Sequence, residues 1–303
     1  MNTTTKTVSR LAFYSFDLVT TDATGNYPAS GIPSPNYVNG WINSGVSFTA
    51  SNAQRFSVGN IPLDSRSFTI QFWFYPTDIS AWDYSFMGEW SQSGPSRCLF
   101  INIRNQKLYF GFFNDDVFAN TFLVINRWYH AAFVYDHTTR RQAIYLNGIN
   151  DGERTANNHF LGSSVPFTIG GAQIGGSTAA NVYYSGIIDH VTVSGRVKTD
   201  CEIYLDANLA CYFTFDSFSP MNDSGPNFLI ATNMGATGVN GGVNQALQFS
   251  SSPSYITISN ILALKSDRQA FSIAMWINPM NTSGGATLIH AATQNTGLYS
   301  FSI

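Results

Sequence analysis

The chain has 303 residues, of which 44% are hydrophobic, 15% are aromatic and only 11% are charged. This content is sufficient for one or two hydrophobic cores and argues against a disordered chain. The net charge of −3 gives no basic surface for nucleic acid or anionic membrane, and no apolar run approaches the ~18 residues of a membrane span. We therefore expect neither nucleic-acid binding nor membrane insertion.

Alternating apolar and polar residues predict β-strands along the first two thirds of the chain. In residues 68–75, the apolar residues two apart share one face. Further strands are predicted, in chain order, at 108–113, 128–135, 142–146, 166–169 and 183–193. Turn-forming residues separate these runs, Asn147-Gly148 being a typical tight-turn pair, and the best helical candidate is 200–205. Many short strands with little helix predict an all-β fold, an antiparallel two-sheet β-sandwich.

Two sequence motifs occur twice, about 200 residues apart. The motif at 13–17 reads FYSFD and recurs at 212–216 as YFTFD, and the motif at 68–76 reads FTIQFWFYP and recurs at 271–279 as FSIAMWINP. Repeats at a constant offset indicate tandem domains. We predict a complete domain at residues 9–206 and the N-terminal half of a second copy at 207–303. Half a sandwich leaves sheet edges uncovered, so we expect the second copy to dock on the first, to self-associate with another chain or to be marginally folded.

Four motifs in the second half of the first domain occur in a characteristic order. They read WYHAAFVYD at 128–136, IYLNG at 144–148, TIGG at 168–171 and GIIDHVTV at 186–193. Together with Phe16-Asp17 and the DATGN turn at 22–26, they resemble the laminin-G-like members of the concanavalin A-like lectin/glucanase superfamily. The resemblance implies a jelly-roll sandwich that serves as a recognition or adhesion module for glycan or extracellular protein ligands.

Two alternatives to a binding module are a structural spacer repeat without a pocket and an accessory domain of a longer carbohydrate-active enzyme. Catalysis by this chain is disfavoured, because retaining glycoside hydrolysis needs two carboxyl groups ~5–5.5 Å apart. The three glutamates, Glu89, Glu153 and Glu202, are far apart in the sequence. We therefore predict that the chain is not an enzyme.

A structural calcium ion is the one cofactor candidate, since the wider superfamily often holds one. The residues that could converge on it are Asp17, Asp22, the Gly25 carbonyl and Asp189, which supply the oxygen ligands that calcium prefers. The alternative interpretation is that Asp22 and Gly25 belong to a type I turn and that Asp189 accepts backbone hydrogen bonds.

Aromatic side chains near predicted loops are the candidate ligand contacts, because sugar rings stack on exposed aromatic rings. Five such residues lie in or beside loop-like segments: Trp82, Tyr84, Trp90, Tyr183 and Tyr184. The alternative is that they anchor loops or pack in the core. Trp73 recurs as Trp276, which indicates a role in the fold, whereas Trp82 and Trp90 have no counterpart in the second copy and are the better site candidates.

The cysteines and the N-terminus bear on the compartment. Cys201 and Cys211 could form a disulfide in an oxidising compartment, the alternative being two buried thiols, while Cys98 is expected to be a small core residue. The first six residues, MNTTTK, lack the apolar stretch of a secretory signal. The protein is therefore either cytosolic or part of a longer product, and the family resemblance favours an extracellular or cell-surface location.

Overall fold

The computed structural model describes residues 10–32, 34–90, 95–174, 180–216, 218–250, 253–259, 261, 270–280, 287–291 and 301–302. The chain divides into two compact units. Unit 1 comprises residues 1–212 and 224–228, and unit 2 comprises residues 213–223 and 229–303. The predicted division into a complete copy and a half copy at 206/207 stays a prediction.

The described part of unit 1 is built almost entirely of strands. In chain order they are β1 (Arg10–Tyr14), β2 (Asn36–Asn39), β3 (Ser44–Phe48), β4 (Phe56–Ser57), β5 (Phe68–Pro76), β6 (Asp83–Glu89), β7 (Leu99–Arg104), β8 (Lys107–Gly111), β9 (Asp116–Phe118), β10 (Tyr129–Asp136), β11 (Arg141–Leu146), β12 (Ile149–Thr155), β13 (Thr168–Ile169), β14 (Gly171–Ile174), β15 (Ala180–Tyr183) and β16 (Gly186–Ser194). A short 3-10 helix at Ala50–Asn52 and one α-helix, α1 (Asp200–Asn208), complete it. The all-β fold class is confirmed.

The strands form two main antiparallel sheets. The larger sheet has eight strands in the order β12-β11-β10-β5-β16-β3-β2, with β1 also paired to β16, and the smaller has six in the order β4-β13-β6-β7-β8-β9. Aromatic rings from both sheets meet in the core, as in the Phe72–Phe86 pair at 5.0 Å between ring centroids. Each fully buried phenylalanine contributes roughly 1.5–3 kcal/mol, so this interface holds the sandwich together.

Strand β5 occupies the centre of the larger sheet, between β10 and β16. Its inner face supplies Ile70 and Phe72 to the core. On its outer face, the Trp73 ring stacks on Trp41 at 4.0 Å, and Gln71 Nε2 donates to Asp206 of α1 at 2.9 Å. Both faces of this strand are therefore covered.

Helix α1 confirms the predicted helix and extends it to Asn208. It begins with a capping box, in which the Thr199 side chain and the Glu202 side chain each accept the other's backbone N–H. Ile203 packs against Ala132 and Tyr145 on the outer face of the larger sheet. In the part of the chain that the structure describes, no helix is long and apolar enough to cross a membrane.

The possible Cys201–Cys211 disulfide is not formed in the described structure. Cys201 lies in the first turn of α1 and Cys211 follows its end. Cys98 is buried against Phe100 and Tyr109, as expected for a core residue.

Unit 2 contains only short described strands. They are β17 (Ala231–Met234), β18 (Thr237–Asn240), β19 (Gln245–Gln248), β20 (Tyr255–Ile258), β21 (His290–Ala291) and β22 (Phe301–Ser302). They pair as β17–β20, β18–β19 and β21–β22, all antiparallel. Residues 271–279 form no strand, although their sequence matches that of β5. The match therefore does not carry the β5 conformation into unit 2.

Candidate functional site

The structure separates the five aromatic residues that the sequence proposed as ligand contacts. Trp82 is 65% exposed, whereas Tyr84 and Tyr184 are buried in the core, so the prediction of a surface role for these two tyrosines is wrong. The Tyr184 ring packs on Phe86 at 4.6 Å. Of the five, only Trp82 borders the groove described next.

The other two proposed contacts, Trp90 and Tyr183, are half-buried. The Trp90 ring stacks on Phe100 at 5.8 Å, and the Tyr183 ring lies 6.0 Å from the guanidinium carbon of Arg55. Trp90 thus belongs to a small cluster on the smaller sheet. The five residues do not form a single platform.

Trp82 borders a shallow groove of about 320 Å³ in unit 1. Three segments form it: the β5–β6 loop at 77–82, the β7–β8 turn and the loop from β9 to β10. Its lining residues are Ile79, Ser80, Ala81, Trp82, Asn105, Gln106 and Phe122. We call it the Trp82–Phe122 groove, because these two aromatic side chains, 65% and 63% exposed, are its largest open surfaces.

The β7–β8 turn ties the three segments together. Asn105 and Gln106 both have positive φ, 51° and 63°, as in the two-residue turns that suit the twist of a hairpin. Asn105 N donates to Trp82 O at 3.1 Å, and Leu123 N donates to Gln106 O at 2.8 Å. The turn therefore fixes both the Trp82 loop and the Phe122 loop by backbone hydrogen bonds.

Tyr84 holds the Trp82 loop from beneath. Ala81 N donates to the Tyr84 hydroxyl at 3.3 Å, and Ser80 N donates to Asp78 Oδ1 at 2.9 Å. The hydrogen bond from Tyr84, together with those from Ser80, holds the pKa of Asp78 below its usual value. Tyr84 thus positions the groove without facing solvent.

Charged groups lie behind and beside the groove. Arg104 donates to both Asp83 oxygens, Nε to Oδ1 at 2.7 Å and Nη2 to Oδ2 at 3.0 Å. Lys107 Nζ lies 4.3 Å from the centroid of the Phe122 ring. None of the seven lining residues is ionisable. The groove therefore offers two aromatic rings, two amides and a hydroxyl, with one ammonium group next to it.

Sequence reasoning found Trp82 but missed Phe122, Asn105 and Gln106. The Asn105-Gln106 pair between two alternating runs was an available turn signal. Phe122 opens an apolar run that continues through Ile125, and its exposure could not be read from that pattern. That these residues meet Trp82 depends on tertiary structure.

The predicted calcium ligand Asp22 instead organises a turn. Its oxygens accept backbone N–H groups of Phe13 at 2.8 Å, Thr24 at 3.0 Å and Tyr27 at 3.0 Å. Burial alone would raise the pKa of Asp22, but these hydrogen bonds and that from the Thr24 hydroxyl hold it below its usual value. Gly25 N donates to Asp22 O at 2.9 Å. The turn interpretation therefore holds for this pair.

Asp17 and Asp189 are likewise occupied by protein donors. Asp189 accepts Ile42 N at 3.0 Å and lies 2.9 Å from His190 Nδ1, and Asp17 accepts Ser44 N at 3.1 Å. Among the described residues, no three His, Cys, Asp or Glu side chains form a metal-binding cluster. Asp17 lies close enough to Asp189 to contribute to its raised pKa, of which burial is the main cause, and calcium binding stays a prediction.

Glu89 is a buried acid outside the groove. Its side chain accepts Ser163 N at 3.3 Å and the residue is only 2% exposed. Burial, with a smaller contribution from Asp64, raises the pKa of Glu89 to about 8. A carboxyl that stays protonated near neutral pH can act as a general acid, but this one does not line the groove.

Comparison with known families agrees with this architecture. The two facing antiparallel sheets define a jelly-roll sandwich of the concanavalin A-like class. The model of the laminin-G family described as the concanavalin A-like lectin/glucanases superfamily matches residues 49–204, which is more than half of the chain. The chain belongs to this family, and the resemblance drawn from its motifs is confirmed.

Solved structures share the fold at low sequence identity. Domain 4 of AbnA, a GH43 extracellular arabinanase from Geobacillus stearothermophilus solved in complex with arabinotriose, is 18% identical with a TM-score of 0.50, covering 65% of this chain and 97% of its own. The binding domain of Paraclostridial Mosquitocidal Protein 1 is 11% identical with a TM-score of 0.53, covering 82% and 75%. A search of curated proteins gave no match.

Proposed function

We propose that unit 1 is a non-catalytic glycan-binding module and that the Trp82–Phe122 groove is its contact site. The observation that carries this proposal is the pair of exposed aromatic rings in one groove, held by hydrogen-bonded loops. Membership of a lectin/glucanase superfamily supports it. So does the arabinanase domain of similar fold, which was solved with a trisaccharide.

The chemistry of the groove suits a sugar ring. Aromatic faces bury the apolar C–H face of a sugar, while amides and hydroxyls supply hydrogen bonds to its hydroxyl groups. Asn105, Gln106 and Ser80 provide these polar groups beside Trp82 and Phe122. Because the groove is shallow, we expect dissociation constants of roughly 10 µM to 1 mM.

Binding without catalysis follows from where the acids lie. Hydrolysis requires two carboxyl groups on either side of the scissile bond, and the groove lining contains none. Glu89, whose pKa is raised to about 8, is buried elsewhere in unit 1. Calcium is not part of this proposal, since Asp17, Asp22 and Asp189 accept protein hydrogen bonds.

We place the module outside the cell. The arabinanase whose domain 4 shares the fold is itself extracellular. Because that domain is part of an enzyme, it also favours a second candidate function, an accessory domain of a carbohydrate-active enzyme. An extracellular protein ligand and self-association through unit 2 belong to the proposal as further partners. Binding of the full chain to an immobilised polysaccharide tests the accessory-domain function, and size-exclusion chromatography tests self-association.

A glycan array followed by calorimetry tests the contact site. The full chain is expected to bind at least one oligosaccharide, and Trp82→Ala or Phe122→Ala is expected to weaken that binding at least tenfold without lowering the melting temperature. Trp276→Ala, which removes an exposed tryptophan from unit 2, serves as the matched control and should bind normally. Equal binding by all three variants would place the site elsewhere, and a chain that binds no glycan would refute the function.

A further inference from the structure

We propose that the Trp82–Phe122 groove selects acidic glycans, those whose sugar rings carry a carboxylate, and that Lys107 is the residue that selects them. This inference rests on the proposed function, because it assigns a ligand class to the same groove. It starts from Lys107, whose ammonium group lies at the edge of the groove.

Lys107 is held at the edge of the groove. Its Nζ lies 4.3 Å from the Phe122 ring centroid, a cation–π contact that fixes the ammonium beside an open aromatic surface. Its chain neighbour Gln106 lines the groove. Lys107 is half-buried, so its position is more restricted than that of a fully exposed lysine.

Lys107 has no ion-pair partner among the described residues, although the chain carries a net charge of −3. The other described lysine, Lys198, is paired: its Nζ lies 2.6 Å from Asp206 Oδ2. An ammonium group without a carboxylate partner retains its capacity to attract one. A ligand carboxylate at the groove would supply that partner.

Three acids on the strands and loops around the groove bind other groups. Asp83 accepts both of its hydrogen bonds from Arg104, and Asp78 accepts from Ser80 N. Asp151 accepts the Thr121 hydroxyl at 2.8 Å, which fixes the residue next to Phe122. None of these three acids forms an ion pair with Lys107.

A second cation, Arg127, lies on the β9–β10 loop, whereas Lys107 begins β8. The guanidinium carbon of Arg127 lies 5.7 Å from the centroid of the Tyr129 ring, and the Tyr129 hydroxyl accepts Val124 N at 3.0 Å. The loop that presents Phe122 thus carries a cation at its far end. Both cations rest on aromatic rings, which leaves their outward-facing donors available to a ligand.

The alternative is that Lys107 only packs on Phe122 and that the groove binds neutral sugars. Matched probes separate the two interpretations: trigalacturonate and sialyllactose, each compared with its own methyl ester. Esterification removes the carboxylate charge and leaves the rings unchanged. The two acids also distinguish uronic from sialic acid as the source of the carboxylate.

Calorimetry on the full chain measures the selectivity. We expect at least one of the two acids to bind about tenfold more tightly than its ester in low salt, with the preference falling sharply at 0.5 M NaCl because the charges are exposed. Lys107→Gln should lose the preference while retaining ester binding, and Lys107→Arg should keep it. Lys198→Gln is the control lysine variant, and melting temperatures verify that each variant folds.

Three outcomes would overturn the inference: acid and ester bound equally, Lys107→Gln with unchanged preference, or only neutral glycans bound. In each of these, Trp82→Ala would still abolish binding and the proposed function would stand. If the Trp82→Ala variant binds these glycans as tightly as the original chain does, the proposed site itself is wrong. The two failures are therefore distinguishable in one series of titrations.

Discussion

One sequence motif has two different structures in this chain. In unit 1, Ile70 is fully buried and Trp73 is 6% exposed, whereas the matched Ile273 and Trp276 in unit 2 are 38% and 97% exposed. The difference lies in the neighbours, because β5 is hydrogen-bonded to β10 on one side and to β16 on the other. Alternating apolar residues define which side chains share a face, but only partner strands bury that face.

A second motif, in contrast, has the same geometry in both units. Asp17 accepts Ser44 N at 3.1 Å, and Asp216 accepts Gln245 N at 3.3 Å. The residue before each aspartate has φ of 58°. This aspartate contact, which joins residues 27 and 29 positions apart, thus forms in both units, whereas the buried central strand is described in unit 1 alone.

The largest expected difference comes from one substitution made in each unit. Ile70→Ala should lower the free energy of unfolding of unit 1 by about 2–5 kcal/mol, because it leaves a cavity in a packed core. Ile273→Ala should change stability by less than about 0.5 kcal/mol, since that side chain is already partly in solvent. Chemical denaturation monitors both, and similar losses would mean that 271–279 is buried in solution.

The next largest effect is a pH dependence of the stability of unit 1, caused by the buried Glu89. The pKa of Glu89 is raised to about 8, so its protonated form stabilises unit 1 fully below the unfolded-state pKa, and this contribution is lost as the pH rises through about 8. Glu89→Gln removes this titration. The stability of the variant relative to the original chain should therefore be greater at pH 8.5 than at pH 5, by at least ~1 kcal/mol. Denaturation at the two pH values measures it, and a variant that keeps the slope of the original chain would contradict the assignment.

The smallest effect is an expected equality between the two units. Asp17→Ala and Asp216→Ala each remove the acceptor of a backbone N–H and of a neighbouring asparagine amide, so each should cost about 0.5–1.5 kcal/mol. Hydrogen exchange at the amides of Ser44 and Gln245 reports the loss in each unit separately. If only Asp17→Ala accelerates exchange, the turn in unit 2 does not form as described.

The sequence predicted what depends on local pattern. The strand at 68–75, the helix near residue 200 and the family motifs at 128–136 and 186–193 are all present. The burial of Tyr84 was missed because it lies in β6 itself and faces the core. The helix was predicted too short, since α1 continues to Asn208, past the end expected from its pattern.

The groove was predictable only in part. Trp82 stood out as an aromatic residue without a counterpart in the second copy. Its partners Phe122 and Asn105 come from two other segments, and the hydrogen bonds that join these segments run between residues far apart in the sequence. Local patterns contain no information on which loops meet, so the site emerges only from the folded sheets.

Tryptophan indole NMR on the full chain tests the account most directly, because it reports on two exposed tryptophans in the same titration. When the tightest-binding glycan from the array is added, the Nε1–H signal of Trp82 is expected to shift, since the sugar stacks in a groove held by Asn105 and Tyr84. The signal of Trp276, which is exposed in unit 2, is expected to stay in place. A shift of Trp276 with Trp82 unmoved would contradict the proposed site.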